Sequence, residues 1–241
     1  MYLNKYKINE IYNEDSYEAI KNIPDKSIDL IVMDPPYLIG KQKPGGVFGR
    51  GRESFHKKIR TLSDGIDKSI LSEIERVMKK INIYIFCNKE QIYDYLFYFK
   101  TLKKCSFDLL TWHKLNPIPT CSNKYLSDTE YILFFREKGV RVYGTYKTKS
   151  KYFITEKNVK DNRLYNHPTV KPLSIIETLI FNSSKENDLI VDFFAGSGTT
   201  AVASKLLNRK YLGFEIDPVH FQTAKKRIEN VVKKEESQFE R

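Results

Sequence analysis

Long apolar runs are missing from this sequence. None approaches the ~20 residues that a membrane span requires, so no membrane partner is expected. The opening residues, 1 to 7, carry no apolar stretch of the kind a signal peptide has. Cysteine is scarce as well: Cys87, Cys105 and Cys121 are odd in number, far apart, and form no CxxC pair. They stand near no histidine cluster. Neither a metal site nor a disulfide framework is expected, and a reducing cytoplasm suits the chain. Internal repeats are absent too, which excludes a repeat architecture.

What is present is 241 residues with 41% hydrophobic content, enough for one sizeable core and a small appended module. The net charge of +11 suits a polyanionic partner. Its placement is uneven. Over positions 41–60, Lys41, Lys43, Arg50, Arg52, Lys57, Lys58 and Arg60 are set against Glu53 alone. Over positions 138–163, Lys138, Arg141, Lys147, Lys149, Lys151, Lys157, Lys160 and Arg163 are set against Glu156 and Asp161. Each segment carries a net +6, so the rest of the chain is close to neutral.

Short apolar runs predict strands ending near Asp15 and over 28–33, 81–86, 107–112, 131–135, 189–194 and 211–215. Helical spacing predicts helices through Ile20 and Ile23 and over 67–80, 89–102, 172–183, 199–208 and 218–233. Strands alternating with helices predict an α/β fold with an open, mostly parallel sheet. Residues 38–62, rich in glycine and basic side chains, read as a long mobile loop. Residues 137–165 show neither helical nor strand periodicity and read as a small insert.

Two segments carry chemistry. Asp192-Phe193-Phe194-Ala195-Gly196-Ser197-Gly198-Thr199-Thr200 runs from a buried strand through a glycine turn into a helix. Glycines there let the backbone approach a ligand, and amides at a helix N-terminus hold a negative group. Glu215 ends the next strand, nineteen residues after Gly196, where an acid suits ribose hydroxyls. Taken alone, this segment is ambiguous, because Gly196, Gly198 and Ala201 also fit the GxGxxG/A pattern of nicotinamide enzymes. The second segment, Asp34-Pro35-Pro36-Tyr37, ends another buried strand. Its prolines cannot continue a ladder, so the chain turns and exposes its groups. Asp34 supplies one acceptor, the Pro35 carbonyl a second, and Tyr37 a flat aromatic face. An exocyclic amino group on a planar base requires that set.

Together the two segments resemble the amino-group (N6-adenine or N4-cytosine) DNA methyltransferases, which carry a DPPY-type catalytic motif and an FxGxG-type cofactor motif. Asn166-His167-Pro168-Thr169-Val170-Lys171-Pro172 is similar to the family's HPTQKP segment, with valine in place of glutamine. Residues 112–117 and Asp128-Thr129-Glu130 are similar to family segments around the sixth and following strands, and Asp15 matches the acidic position that contacts the cofactor adenine. The resemblance covers nearly all of the chain outside 38–62 and 137–165. The catalytic motif precedes the cofactor motif, as in the family's permuted β group.

The resemblance implies a Rossmann-like methyltransferase sheet with helices on both faces. It divides the chain into a catalytic half over 1–136, a small basic target-recognition insert over 137–165 and a cofactor half over 166–241. S-adenosylmethionine is expected at Asp15, His167, Thr169, Lys171, Asp192, Phe193, Phe194, Gly196, Ser197, Gly198, Thr199, Thr200 and Glu215, with His167 fixing its loop rather than acting as a base. Catalysis is expected from Asp34, Pro35, Pro36 and Tyr37, with no metal. DNA is expected at Lys41, Lys43, Arg50, Arg52, Lys57, Lys58, Arg60, Lys114, Arg141, Lys147, Lys149 and Lys151, with Tyr143, Tyr146, Tyr152 and Phe153 interleaved among the lysines of the insert.

Aspartate at position 34 leans toward N6 of adenine, since N4-cytosine enzymes of this group more often have serine there. A nicotinamide oxidoreductase would leave residues 34–37 and both basic segments without purpose. A non-catalytic DNA-binding relative would not need the intact 34–37 set. The insert is short for target recognition, which implies a short recognition site, help from loop 38–62, or a second subunit in a homodimer. Association with a restriction nuclease system is the other partnership the resemblance brings. The whole reading requires residues 34–37 and 192–198 to share one cleft.

Overall fold

The structure, a computed structural model, describes residues 1–38, 65–117, 123, 125–157, 162, 165 and 169–231. The basic side chains Lys41, Lys43, Arg50, Arg52, Lys57, Lys58 and Arg60, and His167, lie outside the described residues.

Strands β1 (Tyr2–Leu3) and β2 (Tyr6–Lys7) pair as a small antiparallel hairpin that the sequence did not announce. Strands β3 (Glu10–Tyr12), β4 (Leu30–Met33), β5 (Asn82–Cys87), β6 (Ser106–Lys114), β7 (Thr129–Arg136), β8 (Tyr152–Thr155), β9 (Leu189–Asp192) and β10 (Lys210–Phe214) form one sheet. Among the described residues its order is β3-β10-β9-β4-β5-β7-β6-β8. Neighbours are parallel except in the two pairs that include β7.

Helix α1 (Ser16–Ala19) continues as a 3-10 turn. Helix α2 spans Ile70–Val77, and α3 (Ile92–Tyr95) runs on into a π-helical segment, Leu96–Leu102. Helices α4 (Leu173–Ser183), α5 (Thr199–Leu206) and α6 (Pro218–Glu229) follow. No helix among the described residues is long and apolar enough to cross a membrane.

All four residues of β4 and all six of β5 are buried, because helices cover both faces of the sheet and every side chain meets a layer. Ile31, Met33, Ile83, Ile85 and Val191 point to one layer, with Ile70, Ile74 and Phe99. Leu30, Val32, Tyr84, Phe86 and Ile190 point to the other, with Ile175, Leu179, Ala203 and Leu207. That double burial is why the central strands are continuous apolar runs.

The insert departs from its expected irregular character. Residues 152–155 form β8, which adds to the sheet beside β6, where the Trp112 indole N–H donates to Thr155 Oγ1 at 2.8 Å. Its exposure alternates from residue to residue, but four residues are too few for that alternation to stand out among lysines and tyrosines.

Candidate active site

The parallel strands bring their carboxyl ends to one edge of the sheet, and the expected site residues fall in a row along it. Asp15 follows β3, Glu215 follows β10, the glycine turn follows β9, and Asp34 follows β4. Strands β9 and β4 are direct neighbours, with Leu30 opposite Ile190 and Ile31 opposite Val191. Residues 34–37 and 192–198 therefore follow neighbouring strands at one edge of the sheet, where open α/β folds bind ligands.

The glycine turn is held from several sides. Gly196 and Gly198 have φ of 51° and 76°, left-handed values that glycine adopts without strain. The Gly196 N–H donates to Glu215 Oε2 at 2.7 Å, while Glu215 Oε1 accepts from the Asp217 N–H at 2.8 Å. Arg227 on α6, only 6% exposed, donates to Ser197 O at 3.2 Å, to Ser197 Oγ at 3.1 Å and to Thr199 Oγ1 at 2.8 Å. Its guanidinium also lies 4.4 Å from the centre of the Tyr165 ring. Sequence reasoning missed Arg227, since a basic residue among the lysines of a C-terminal helix reads as solvated. Asp15 caps α1 by accepting the Tyr17 N–H at 2.8 Å, and Ser16 Oγ donates to the Phe193 carbonyl, which ties α1 to the turn.

Asp192 ends β9 almost fully buried. Its Oδ1 accepts from the Phe194 N–H at 2.9 Å and its Oδ2 from Thr200 Oγ1 at 2.6 Å. Burial pushes its carboxyl up to about 7, with those two hydrogen bonds opposing. The folded protein then binds more protons than the unfolded chain between the ordinary value of 3.8 and about 7, so stability falls as pH rises through that window. In Asp192→Asn the amide keeps both contacts, with the Thr200 hydroxyl turned to accept. Thermal denaturation should show this variant gaining several degrees over the native chain at pH 8 and losing the advantage at pH 4. A pKa unit is worth about 1.4 kcal/mol, and 1 kcal/mol moves the midpoint by roughly 2–4 °C at this size. A difference that does not change with pH would refute the raised carboxyl.

Beside the turn lies a cluster of charges. Lys171 Nζ sits 2.6 Å from Asp34 Oδ2 and 3.2 Å from Glu130 Oε2. Lys114 Nζ sits 2.6 Å from Glu130 Oε1. The Tyr37 hydroxyl donates to Glu130 Oε2 at 3.1 Å and accepts from Lys171 Nζ at 3.4 Å. Burial, reinforced by the two carboxylates, pushes the Tyr37 phenol well above its ordinary range, so it stays a donor. Burial also raises the Asp34 carboxyl, against the pull of Lys171. Asp34 Oδ1 is buried and has no hydrogen-bond partner among the described residues. A neighbouring contact fixes the loop: the Gln91 amide donates to the Pro36 carbonyl at 3.0 Å.

Several expected residues take unexpected places. Lys114, expected on a phosphate, is nearly covered and paired with Glu130 in this cluster, so its charge is already balanced. Lys171, expected at the cofactor, lies against Asp34 and Tyr37. Glu130 appeared in the sequence only as part of a family-like segment. It is the second residue of β7, the antiparallel strand, whose N-terminal end reaches the same edge as the carboxyl ends of β4 and β5. Lys151 is exposed but paired with Asp108. Arg141, Lys147 and Lys149 are exposed on the insert, with Tyr146 fully exposed and Tyr143 and Tyr152 partly so.

The row of groups fits S-adenosylmethionine. Along the sheet edge the partly buried carboxyl groups of Asp15 and Glu215 lead to a turn with two left-handed glycines, and the orphaned Asp34 Oδ1 comes next beyond it.

Known proteins agree with this geometry. The sequence model of the N6/N4 DNA methylase family matches residues 28–226. The Type II methyltransferase M2.LlaDCHI of Lactococcus lactis subsp. cremoris is 32% identical over 241 aligned residues, which cover 90% of this chain and 88% of that protein. The crystal structure of the M1.HpyAVI–SAM complex superposes with a TM-score of 0.68 at 27% identity, covering 92% of this chain and 99% of that one. The cytosine-N4-specific PvuII DNA methyltransferase shares the fold, with a TM-score of 0.67 at 17% identity over 92% of this chain and 87% of that one. With its two motifs at the ends of neighbouring strands and this kinship over nearly its whole length, the chain belongs to the amino-group DNA methyltransferase family and transfers methyl groups from S-adenosylmethionine to DNA.

Proposed function

We propose that the methylated atom is N6 of adenine, in a base flipped out of the helix into the pocket formed by Asp34, Pro35, Pro36 and Tyr37. The observation that carries this reading is Asp34 Oδ1, a buried acceptor without a partner among the described residues, beside the cofactor turn. An amino group conjugated to a purine is a weak nucleophile because its lone pair is delocalised into the ring. Hydrogen bonds from its two N–H groups to Asp34 Oδ1 and the Pro35 carbonyl favour a pyramidal nitrogen whose lone pair is free to attack. Flipping costs a few kcal/mol, and stacking on the Tyr37 ring recovers about 1–3 kcal/mol. S-adenosylmethionine, when bound, supplies an electrophilic methyl group. Glu215, Asp15, Thr169 and the 192–200 turn hold it, and the rest of the rate enhancement is positioning and electrostatics.

Arg141, Lys147 and Lys149 of the insert, with the basic segment over 41–60, bind phosphates and give affinity with little sequence information. The chain order, with the base site ahead of the cofactor turn, supports placement in the permuted β group. An insert this short supports recognition shared with a second copy of the chain. The restriction-modification context that the name Type II gives to the relative supports a nuclease partner.

N4 of cytosine is the second reading, since the amino chemistry is the same. Mass analysis of nucleosides from DNA treated with the protein and S-adenosylmethionine should show N6-methyladenine. N4-methylcytosine as the sole product would overturn the adenine assignment.

A further inference from the structure

Lys171 is 6% exposed, and its ammonium is engaged with the base site: Asp34 Oδ2 at 2.6 Å, Glu130 Oε2 at 3.2 Å and the Tyr37 hydroxyl at 3.4 Å. It also lies 5.4 Å from the centre of the Tyr37 ring and 5.2 Å from that of Phe86. We infer that Lys171, backed by Glu130 and Lys114, is a positioning residue: it occupies Asp34 Oδ2 so that Oδ1 alone is left for the target amino group. Through their shared Glu130, Lys171 also fixes the Tyr37 hydroxyl, so both ends of the 34–37 motif are tied to one point. The inference rests on the base-site reading above.

A carboxylate without such a partner rotates about its terminal torsion and offers either oxygen. An ion pair in a nearly dry site removes that freedom. Two carboxylates and two ammonium groups leave the cluster without net charge, so no buried charge stands uncompensated. Burial alone would raise Glu130, but Lys171 and Lys114 bring it down to about 2. Burial would lower Lys171, but Asp34 and Glu130 hold it above its ordinary value. Both therefore keep their charge between pH 5 and 9.

The other groups around Asp34 are Tyr37, Cys87 on β5, Tyr95 on α3 and Asp192 on β9. Burial pushes Cys87 up to about 12 and Tyr95 further up, so both stay neutral in that range. Asp192 is the neighbour that titrates near neutrality, and the Asp192→Asn background separates its contribution.

The test is the pH profile of methyl transfer to duplex DNA, with S-adenosylmethionine affinity measured by calorimetry on the same proteins. Lys171→Met should lower kcat about 10²-fold, the scale of losing one preorganised contact, and leave cofactor affinity within about threefold. Its acid limb should move to higher pH, because Asp34 loses the cation that opposes its burial. Glu130→Gln should move the limb the other way, because Asp34 loses a like charge. Lys171→Arg should recover most of kcat and return the limb. If Lys171→Met instead weakens cofactor binding with kcat and limb unmoved, Lys171 is a cofactor ligand and the inference falls. If Lys171→Met fails to fold, the limbs of Lys171→Arg and Glu130→Gln decide, and an unmoved limb in Glu130→Gln overturns the inference. Asp34→Ala separates the two levels. Full activity there removes the base site itself, whereas an inactive Asp34→Ala beside a native-like Lys171→Met removes only the role of Lys171.

Discussion

Asp34→Ala should slow methyl transfer by about 10²–10³-fold while S-adenosylmethionine still binds with close to native affinity. The geometry separates those two effects. Asp34 stands at the end of β4, and the glycine turn stands at the end of the adjacent β9. The turn is held by Glu215, just after β10, and Arg227 on α6, and neither makes a described bond to Asp34. Removing the carboxylate deletes the acceptor for the base amino group and frees Lys171 of one partner, leaving Glu130 to balance it. The protein should remain folded. Asp34→Asn is the sharper comparison, because its amide can present an N–H where the base also presents one, and that clash should keep activity low despite the same shape. Single-turnover methyl transfer and calorimetry with S-adenosylmethionine measure both arms. Native turnover in Asp34→Ala would remove Asp34 from the chemistry.

The parts of this site that were legible in the sequence are those encoded by local physics. Strands buried on both faces must be continuous apolar runs, so β4, β5 and β9 were visible as such. A pair of prolines or of glycines at a strand end forces a turn, so both chemical segments were visible too. Glu130 was not legible in this way. A strand-end acid draws attention at the carboxyl end of a parallel strand, and Glu130 lies near the start of a strand whose direction is known only after pairing. The pairing of Lys114 with Glu130 was hidden for a related reason. Lysine on a basic protein suggests phosphate, and only the pairing of β6 with β7, which sets Trp112 opposite Glu130, brings Lys114 next to that carboxylate. Arg227 depends on how α6 packs against the turn, and no periodicity within the helix encodes that. Residues 34–37 and 192–198 meet because β4 and β9 are neighbours in space although more than 150 residues apart in the chain. That adjacency came from the family resemblance rather than from any pattern in the residues.

Gly198→Ala should weaken S-adenosylmethionine binding by about tenfold or more and lower the thermal midpoint by roughly 2–12 °C, from about 1–3 kcal/mol of strain. Gly198 has φ 76° and ψ 23° at the start of α5, and its N–H donates to the Ala195 carbonyl at 2.7 Å. A side chain is strained in that conformation, and an added Cβ would also lie 3.0 Å from the Ala224 Cβ and 3.4 Å from its Cα. Ala224 is on α6, the helix that carries Arg227. A turn that relieves the crowding by moving away from α6 loses the Arg227 bonds to Ser197 and Thr199 and shifts the backbone against which the cofactor is proposed to lie. The double variant Gly198→Ala with Ala224→Gly separates the two causes, since it relieves the contact with the Ala224 Cβ and leaves the backbone strain. Partial recovery of the midpoint together with recovery of cofactor affinity would assign the binding defect to displacement of the turn. Recovery of the midpoint alone would assign it to the backbone conformation itself. A lowered midpoint with native cofactor affinity in the single variant would mean that the turn stabilises the fold and that S-adenosylmethionine is held elsewhere along the sheet edge.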